Sequence, residues 1–422
     1  MPACPEQVSR VTRPSFSIAF ALGGLYLAQS VPLYLVAAAL PPILRSRGVD
    51  LAVIGAFGVL LAPWVLKAAW APLIDRLARK PRVGRKGVVL ICLAVTLGAI
   101  LLLSMLDPVA DAIRFFPVLM AMSISSATQD IAADGWAVEH LPPGEQATGN
   151  AIQAGAVAFG VLVGGSGTLL LMDPLGWSLT LQIIAGLAAI CILPFLILPE
   201  NQGRRPLPAD HGKASFGHFL TLPMAGAMLA FAFFFRMPEG LVKALEQPFL
   251  IDRGFSLVEV GLVSGGAAAL VGVFGAASGA FLIRWAGLRP FFVALILGRT
   301  LTFAAFFAAA ILDIGTWPLV ILSGIDTFLR YVEMVGLYTA FMRFSSLTQA
   351  GTDFTLLTSV NLLTYMLGSM IAGAMASALG YGPVFALAVF LSAITGWIAV
   401  TCLPRAVRER RNSPNIPKEH PA

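Results

Sequence analysis

Long apolar runs alternate with short polar stretches from Phe16 to Leu403. A run of about 20 apolar residues wound as α-helix crosses roughly 30 Å of hydrocarbon. The pattern therefore predicts membrane-spanning helices at 16–44, 51–74, 87–106, 115–138, 147–171, 177–198, 217–243, 256–283, 290–312, 316–342, 352–379 and 383–403, here called spans one to twelve. The first run is too long for a cleavable leader and lacks a small-residue cleavage site before the next span.

Twelve spans put both ends of the chain on one side. On that side fall Arg10, Arg13, Arg76, Arg79, Lys80, Arg82, Arg85, Lys86, Arg204, Arg205, Lys213, Arg284, Arg289, Arg343 and the bases of the C-terminal tail. The opposite loops hold only Arg45, Arg47, Arg114 and Arg253. Bases accumulate on the cytoplasmic side, so both termini are expected there. A count wrong by one would scramble this asymmetry. The longest polar interruption, "PENQGRRPLPADHGKASFGH" (Pro199–His218), divides the spans six and six, and its Pro, Gly and mixed charge read as a linker. The expected organisation is a tail over 1–15, a six-helix bundle over 16–198, a linker over 199–216, a second bundle over 217–403 and a tail over 404–422.

Composition agrees. Hydrophobic residues make up 58% and charged residues 12%, against about 25% charged in soluble domains. The net charge of +6 is then a topology signal, not a nucleic-acid footprint. Cys4, Cys92, Cys191 and Cys402 lie far apart with no CxxC pair, and His140, His211, His218 and His420 sit in loops, at span edges or in the tail. No metal site, disulfide framework or cofactor is expected. An integral-membrane enzyme would need a nucleophile–base pair or metal ligands at membrane depth, and no histidine serves there. No phosphate-binding loop or ATPase domain is read in the sequence, so if the chain moves a solute the energy is expected from an ion gradient or a partner.

The informative positions are charges inside spans. In "SISSATQDIAADGWAVEHLPP" (Ser123–Pro143), Ser123, Ser126, Asp130 and Asp134 share about 80° of a helix face. A carboxylate at mid-membrane costs about 2.5–3.5 kcal/mol, so it faces a cavity or a partner. Lys67 in span two is at a similar depth and is expected to pair with one aspartate, leaving the other for a proton or a substrate. Glu139 falls on the opposite face and is expected to end the helix at the surface. Span seven carries Arg236, Glu239, Lys243 and Glu246 on one face, and Pro238 is expected to break or kink it. Span ten carries Asp326, Arg330 and Glu333, and span nine carries Arg299. These charges either neutralise one another to fix helix packing, or Arg330 or Arg299 binds an anionic group while Glu239 or Glu333 cycles a proton. In span one Tyr26, Gln29 and Tyr34 are candidates to line a cavity beside Pro32, with Tyr338 of span ten. The glycine runs of spans five and eight suit close helix contact, and "FAFFF" (Phe231–Phe235) is expected to face lipid.

Two features carry a family resemblance. "PILRSRGVDLAVIG" (Pro42–Gly55) aligns without gaps on "PFLIDRGFSLVEVG" (Pro248–Gly261), each between the first two spans of its half. Two six-span halves in parallel repeat describe the major facilitator fold, an all-α polytopic membrane architecture of twelve helices whose substrate site lies near the midplane. "PLIDRLARKPRVGRKG" (Pro72–Gly87) resembles a degraded copy of that superfamily's signature, with Asp75, Arg76, Gly84, Arg85 and Lys86 in place, Ala71 for the first glycine and a longer middle. The resemblance implies gating: an acid at the end of span two pairs with bases across the halves and latches the outward-open state. The alternative is a merely basic anchoring loop.

"ATQDIAADGWAVEHLPPGEQATGNAIQ" (Ala127–Gln153) and "LKAAWAPLIDR" (Leu66–Arg76) resemble the AmpG-like branch, whose named members import muropeptides. "GGLYLAQSVPLYLVAAALPPILRSRG" (Gly23–Gly48) is similar to the RhtX/FptX siderophore permeases of the bacterial inner membrane. The resemblance implies a monomeric, proton-driven importer of a siderophore, with a muropeptide or another small anionic metabolite as the alternative cargo. Expected partners are that small molecule, protons and membrane lipid.

Overall fold

A computed structural model describes residues 14–47, 57–80, 82–107, 111–199, 202–206, 213–256, 259–260, 262–312 and 315–403. Most of the N-terminal tail, the C-terminal tail, part of the linker and part of each repeat copy lie outside the described residues. The described residues contain helix and no strand, and all twelve predicted ranges hold helix. Among the described residues, eight helical stretches are individually long and apolar enough to cross a membrane. One of them, Gln146–Ile197, covers spans five and six. It reverses after Pro174 at Gly176, whose φ of 71° is a conformation glycine adopts without Cβ strain.

Spans three, four, seven and nine to twelve are single helices: Gly84–Leu103, Ala112–His140, Ala225–Asp252, Leu288–Ile311, Thr316–Phe344, Ala350–Leu379 and Tyr381–Cys402. Span one runs from Phe16 to Tyr34 and continues through a π-helical turn at Leu35–Ala39 into Leu40–Ser46. Its start is capped by the Ser15 hydroxyl, which accepts from the Ile18 amide at 3.4 Å. Similar π turns lie in span five (Val161–Gly167) and at the start of span eight (Leu262–Ala267). Span two alternates between helix types: 3-10 over Phe57–Leu61, α over Ala62–Leu66, 3-10 over Lys67–Trp70 and α over Ala71–Ala78. Pro63 and Pro72 stand at the starts of its two α stretches, where a missing N–H costs nothing.

Span seven corrects an expectation. It continues as one helix past Pro238 and Pro248, without the break expected at Pro238. Phe231 and Phe235, expected toward lipid, are buried one turn apart against Phe292. Of that run Phe233 is the exposed ring.

Glycines let helices touch. A Cβ at Gly160 or Gly164 would collide with Ser30 or Val31 of span one, and one at Gly240 with the Tyr365 carbonyl of span eleven. Three apolar clusters then set the shape. One lies within spans one to six around Leu35, Ile100 and Phe115. Another lies within spans seven to twelve around Phe249, Phe306 and Phe385. The third runs through both sets, joining Leu22 and Trp136 to Phe341 and Phe354. The halves thus share one core at the end carrying Asp75, Arg85 and Arg204, here the basic end. They keep separate cores at the other. Large side chains such as Phe274, Trp285, Leu301 and Met370 stay exposed on the outer faces, as a lipid boundary requires.

Candidate functional site

Helical spacing on span four brings Ser126, Asp130 and Asp134 into line one turn apart. Lys67 of span two pairs with Asp130 Oδ2, and Gln29 Nε2 donates to Oδ1 of the same carboxylate. The lysine is buried, its ammonium 5.3 Å from the centre of the Trp64 ring. Asp134 differs in kind. It accepts from the Tyr26 hydroxyl at 2.8 Å and from Gln153 Nε2 at 3.3 Å. It is 2% exposed and joins no ion pair among the described residues. This group therefore holds one base and two acids.

The second charged group lies on spans seven, nine and ten. Arg236 meets Glu239 at 2.8 Å and Glu333 at 3.6 Å. Lys243 pairs with Glu246 and lies 3.5 Å from Asp326. Arg299 meets Glu333 at 3.1 Å, and Arg330 lies 3.7 Å from Glu239. Arg236, Lys243, Arg299 and Arg330 are balanced by Glu239, Glu246, Asp326 and Glu333. The balance leaves Asp134 as the odd charge at the centre of the molecule.

The candidate substrate ligands divide. Arg299, placed by the sequence as a ligand for an anion, is turned into the bundle. It donates to the Phe235 carbonyl at 2.8 Å and to Ser392 at 3.2 Å, stacks on Phe235 and is 3% exposed. It ties spans seven, nine, ten and twelve together. Tyr26 and Gln29, placed as cavity-lining, are buried against the two aspartates. Arg330 is the accessible base, its side chain 38% exposed. Tyr34 lies within electrostatic range of Arg330 and Tyr365. Tyr338 lies within range of Asp130, Asp134 and Arg236. Of the two, Tyr338 is the one within range of both charged groups.

At the basic end Asp75 is 1% exposed. The family resemblance implied basic partners for it across the halves. Its base is instead Arg85, at 2.8 Å and in the same half. Across the halves it accepts from the Gly351 amide at 3.2 Å and from the Thr352 amide and hydroxyl at 2.6 Å each. The first turn of a helix presents unpaired N–H groups and a partial positive charge, so the start of span eleven does the work expected of a base. Arg85 also binds Glu139 at 2.8 Å, and Arg204 of the linker reaches Glu139 at 3.1 Å. Glu139, expected at the surface, is buried under these two bases. A Cβ on Gly135 would strike the Arg85 guanidinium. Arg76 donates to the Ala214 carbonyl at 2.6 and 3.0 Å, and Lys86 to the Leu198 carbonyl. Gly84, with φ of 61°, starts span three.

Sequence reasoning passed over Gln153, Thr352 and Glu139 as partners. Gln153 was visible as a carboxamide within a span, but it carries no charge to flag it.

The Lys67–Asp130 contact has a measurable signature. Removing one partner of a buried pair typically costs about 3–5 kcal/mol because the other charge is stranded. Lys67→Ala and Asp130→Ala should each lower the thermal stability of the purified protein. The double variant should lose less than the sum of the two. Additive losses would show that the contact does not hold in the membrane.

Residues 18–329 match the Major Facilitator Superfamily. The chain is similar to the anhydromuropeptide permease of Escherichia coli (strain K12), 29% identical over 277 residues, which is 64% of this chain and 56% of the permease. It is also similar to the putative transporter AmpG 4 of Rickettsia felis, 26% identical over 266 residues, 59% of this chain and 64% of that protein. The chain thus spans less than two thirds of either relative. Among solved structures, the transporter FucP in its outward conformation superposes with a TM-score of 0.68 at 13% identity, over 92% of this chain and 98% of that one. The last likeness shows the fold alone.

Proposed function

The chain belongs to the Major Facilitator Superfamily, and from that premise we propose that it imports a muropeptide or a similar small anionic metabolite across a bacterial inner membrane, coupled to protons. The family and fold are those of multi-pass membrane transporters, not enzymes. The observation that carries the coupling reading is Asp134, a buried carboxyl that joins no ion pair among the described residues and lies beside the Lys67–Asp130 pair. It touches span one through Tyr26 and lies within range of Tyr338 of the other half. A proton taken up there neutralises the odd charge of the central site, and its release restores it. Separate cores at one end and a shared core at the other suit an outward-open state in alternating access. The basic end is then cytoplasmic, with both termini on that side and the bundles at 16–198 and 217–403 rocking as a monomer.

The muropeptide reading rests on the similarity to the E. coli permease and on the accessible Arg330, which suits a carboxylate on a polar cargo. The siderophore cargo expected from the sequence draws no support from these relatives. The deciding experiment is uptake by cells lacking and expressing the protein, with radiolabelled anhydromuropeptide and a panel of ferric siderophores, with and without an uncoupler. Uncoupler-sensitive accumulation of the anhydromuropeptide alone is expected. Accumulation of one siderophore complex instead would reverse the assignment.

Arg330→Gln should raise KM for the anionic cargo with kcat little changed. The lost charge-assisted hydrogen bonds are worth about 1.5–3 kcal/mol, or about 10- to 100-fold. An unchanged KM would place the anion elsewhere.

A further inference from the structure

Three carboxamides lie along one face of span five. Gln153, Asn150 and Gln146 are spaced by three and four residues, so their side chains stack over about 10 Å of helix. All are buried, at 5%, 0% and 1% exposure. Each amide nitrogen is already committed. Gln153 donates to Asp134 at 3.3 Å, Asn150 to the Gln146 carbonyl at 2.8 Å, and Gln146 to the Leu141 carbonyl at 3.2 Å. Exchanging oxygen and nitrogen in any of them would set oxygen against oxygen, so the orientations are fixed by their partners. The three side-chain oxygens then meet no donor among the described residues. A buried acceptor left so costs about 1–3 kcal/mol. Three on one face, starting at a carboxyl group, are the kind of buried acceptors that ordered water satisfies.

We propose that Gln153, Asn150 and Gln146 hold a file of water molecules that conducts the proton released by Asp134 to the basic end of the bundle. The inference rests on the coupling role of Asp134 given above. The Asp134 O–H bond breaks as the first water gains a proton. That water passes a proton to the next, and the carboxylate remains behind. The carboxamides keep their own protons and only orient the waters. The other groups around Asp134 are Tyr26 of span one, Lys67 of span two, Asp130 of its own helix and Tyr338 of span ten. Span ten closes the file: Thr339 and Met342 lie 3.3 and 3.4 Å from Asn150 Nδ2. Release is therefore tied to the parting of spans five and ten, which opens the site inward.

Reconstituted protein tests this with labelled anhydromuropeptide in two modes, accumulation driven by a pH gradient and exchange without one. Asn150→Leu fills the file with an apolar side chain. Accumulation should fall by at least about tenfold while exchange persists, and Asn150→Ser, which leaves room for water, should restore accumulation. Radiolytic hydroxyl labelling of Met342 needs no cargo: water beside Asn150 should oxidise this 2% exposed side chain, and Asn150→Leu should protect it. An unoxidised Met342 in the unmodified protein, or equal loss of accumulation and exchange, overturns the file. Asp134→Asn in the same vesicles separates the two ideas. If that variant still accumulates cargo, the coupling reading falls and takes the file's role with it. If it does not, and Asn150→Leu has no effect, the file alone falls.

Discussion

Asp134→Asn should reduce gradient-driven uptake to the level of cells lacking the transporter while the protein stays in the membrane. Asparagine keeps the size of the side chain and an oxygen for the Tyr26 hydroxyl and the Gln153 amide, which meet Asp134 at 2.8 and 3.3 Å. What it removes is the exchangeable proton. Exchange of cargo without a gradient should persist, because that mode needs no net proton movement. Asp130→Asn is the contrasting variant. It strands Lys67 in a buried site, so its principal effect should be on stability and membrane level. Full accumulation by the Asp134 variant would remove the coupling role.

The second large effect belongs to Asp75. Asp75→Ala deletes three hydrogen bonds to the start of span eleven and the 2.8 Å contact with Arg85. A hydrogen bond to a charged group contributes about 1.5–3 kcal/mol, so losing even one should shift the population toward an open basic end by about 10- to 100-fold. A cysteine placed at Thr355, buried one turn inside the contact, reports this in a chain whose native cysteines are replaced. An impermeant maleimide applied to inside-out vesicles should label it faster when Asp75 is alanine. Equal labelling rates would show that Asp75 holds no latch.

The fold was legible because membrane helices write themselves as runs of apolar residues, and all twelve ranges hold helix. The charged stripes were legible for the same reason: Asp130, Asp134, Glu239 and Glu333 stand out against an apolar background. Their depth and spacing say which face they share. Spacing along one helix does not say what the neighbouring helix brings. Arg299 looked like a lone base and is enclosed by residues from three other spans. Glu139 looked surface-bound because its partners, Arg85 and Arg204, are remote in sequence. Asp75 drew the expectation of a basic partner because helix N-termini are absent from a residue alphabet. The carboxamides of span five entered only as part of the family motif and drew no functional reading, because hydropathy marks them as mild exceptions in a glycine- and alanine-rich stretch. Cargo was the weakest inference, since the motifs shared across a branch report the machinery of movement and not the shape of what is moved.

Span two has a mechanical property that its charges do not reveal. Its 3-10 turn at Lys67–Trp70 starts at the Lys67 ion pair and runs into the α stretch that carries Asp75. A 3-10 turn rises about 2.0 Å per residue against 1.5 Å for α-helix, so rewinding those four residues shortens the span by about 2 Å. Lys67 is anchored to span four and Asp75 to span eleven. The change in length would pull on the basic-end contact like a tightened strut, converting an event at the central aspartates into an axial displacement at the gate.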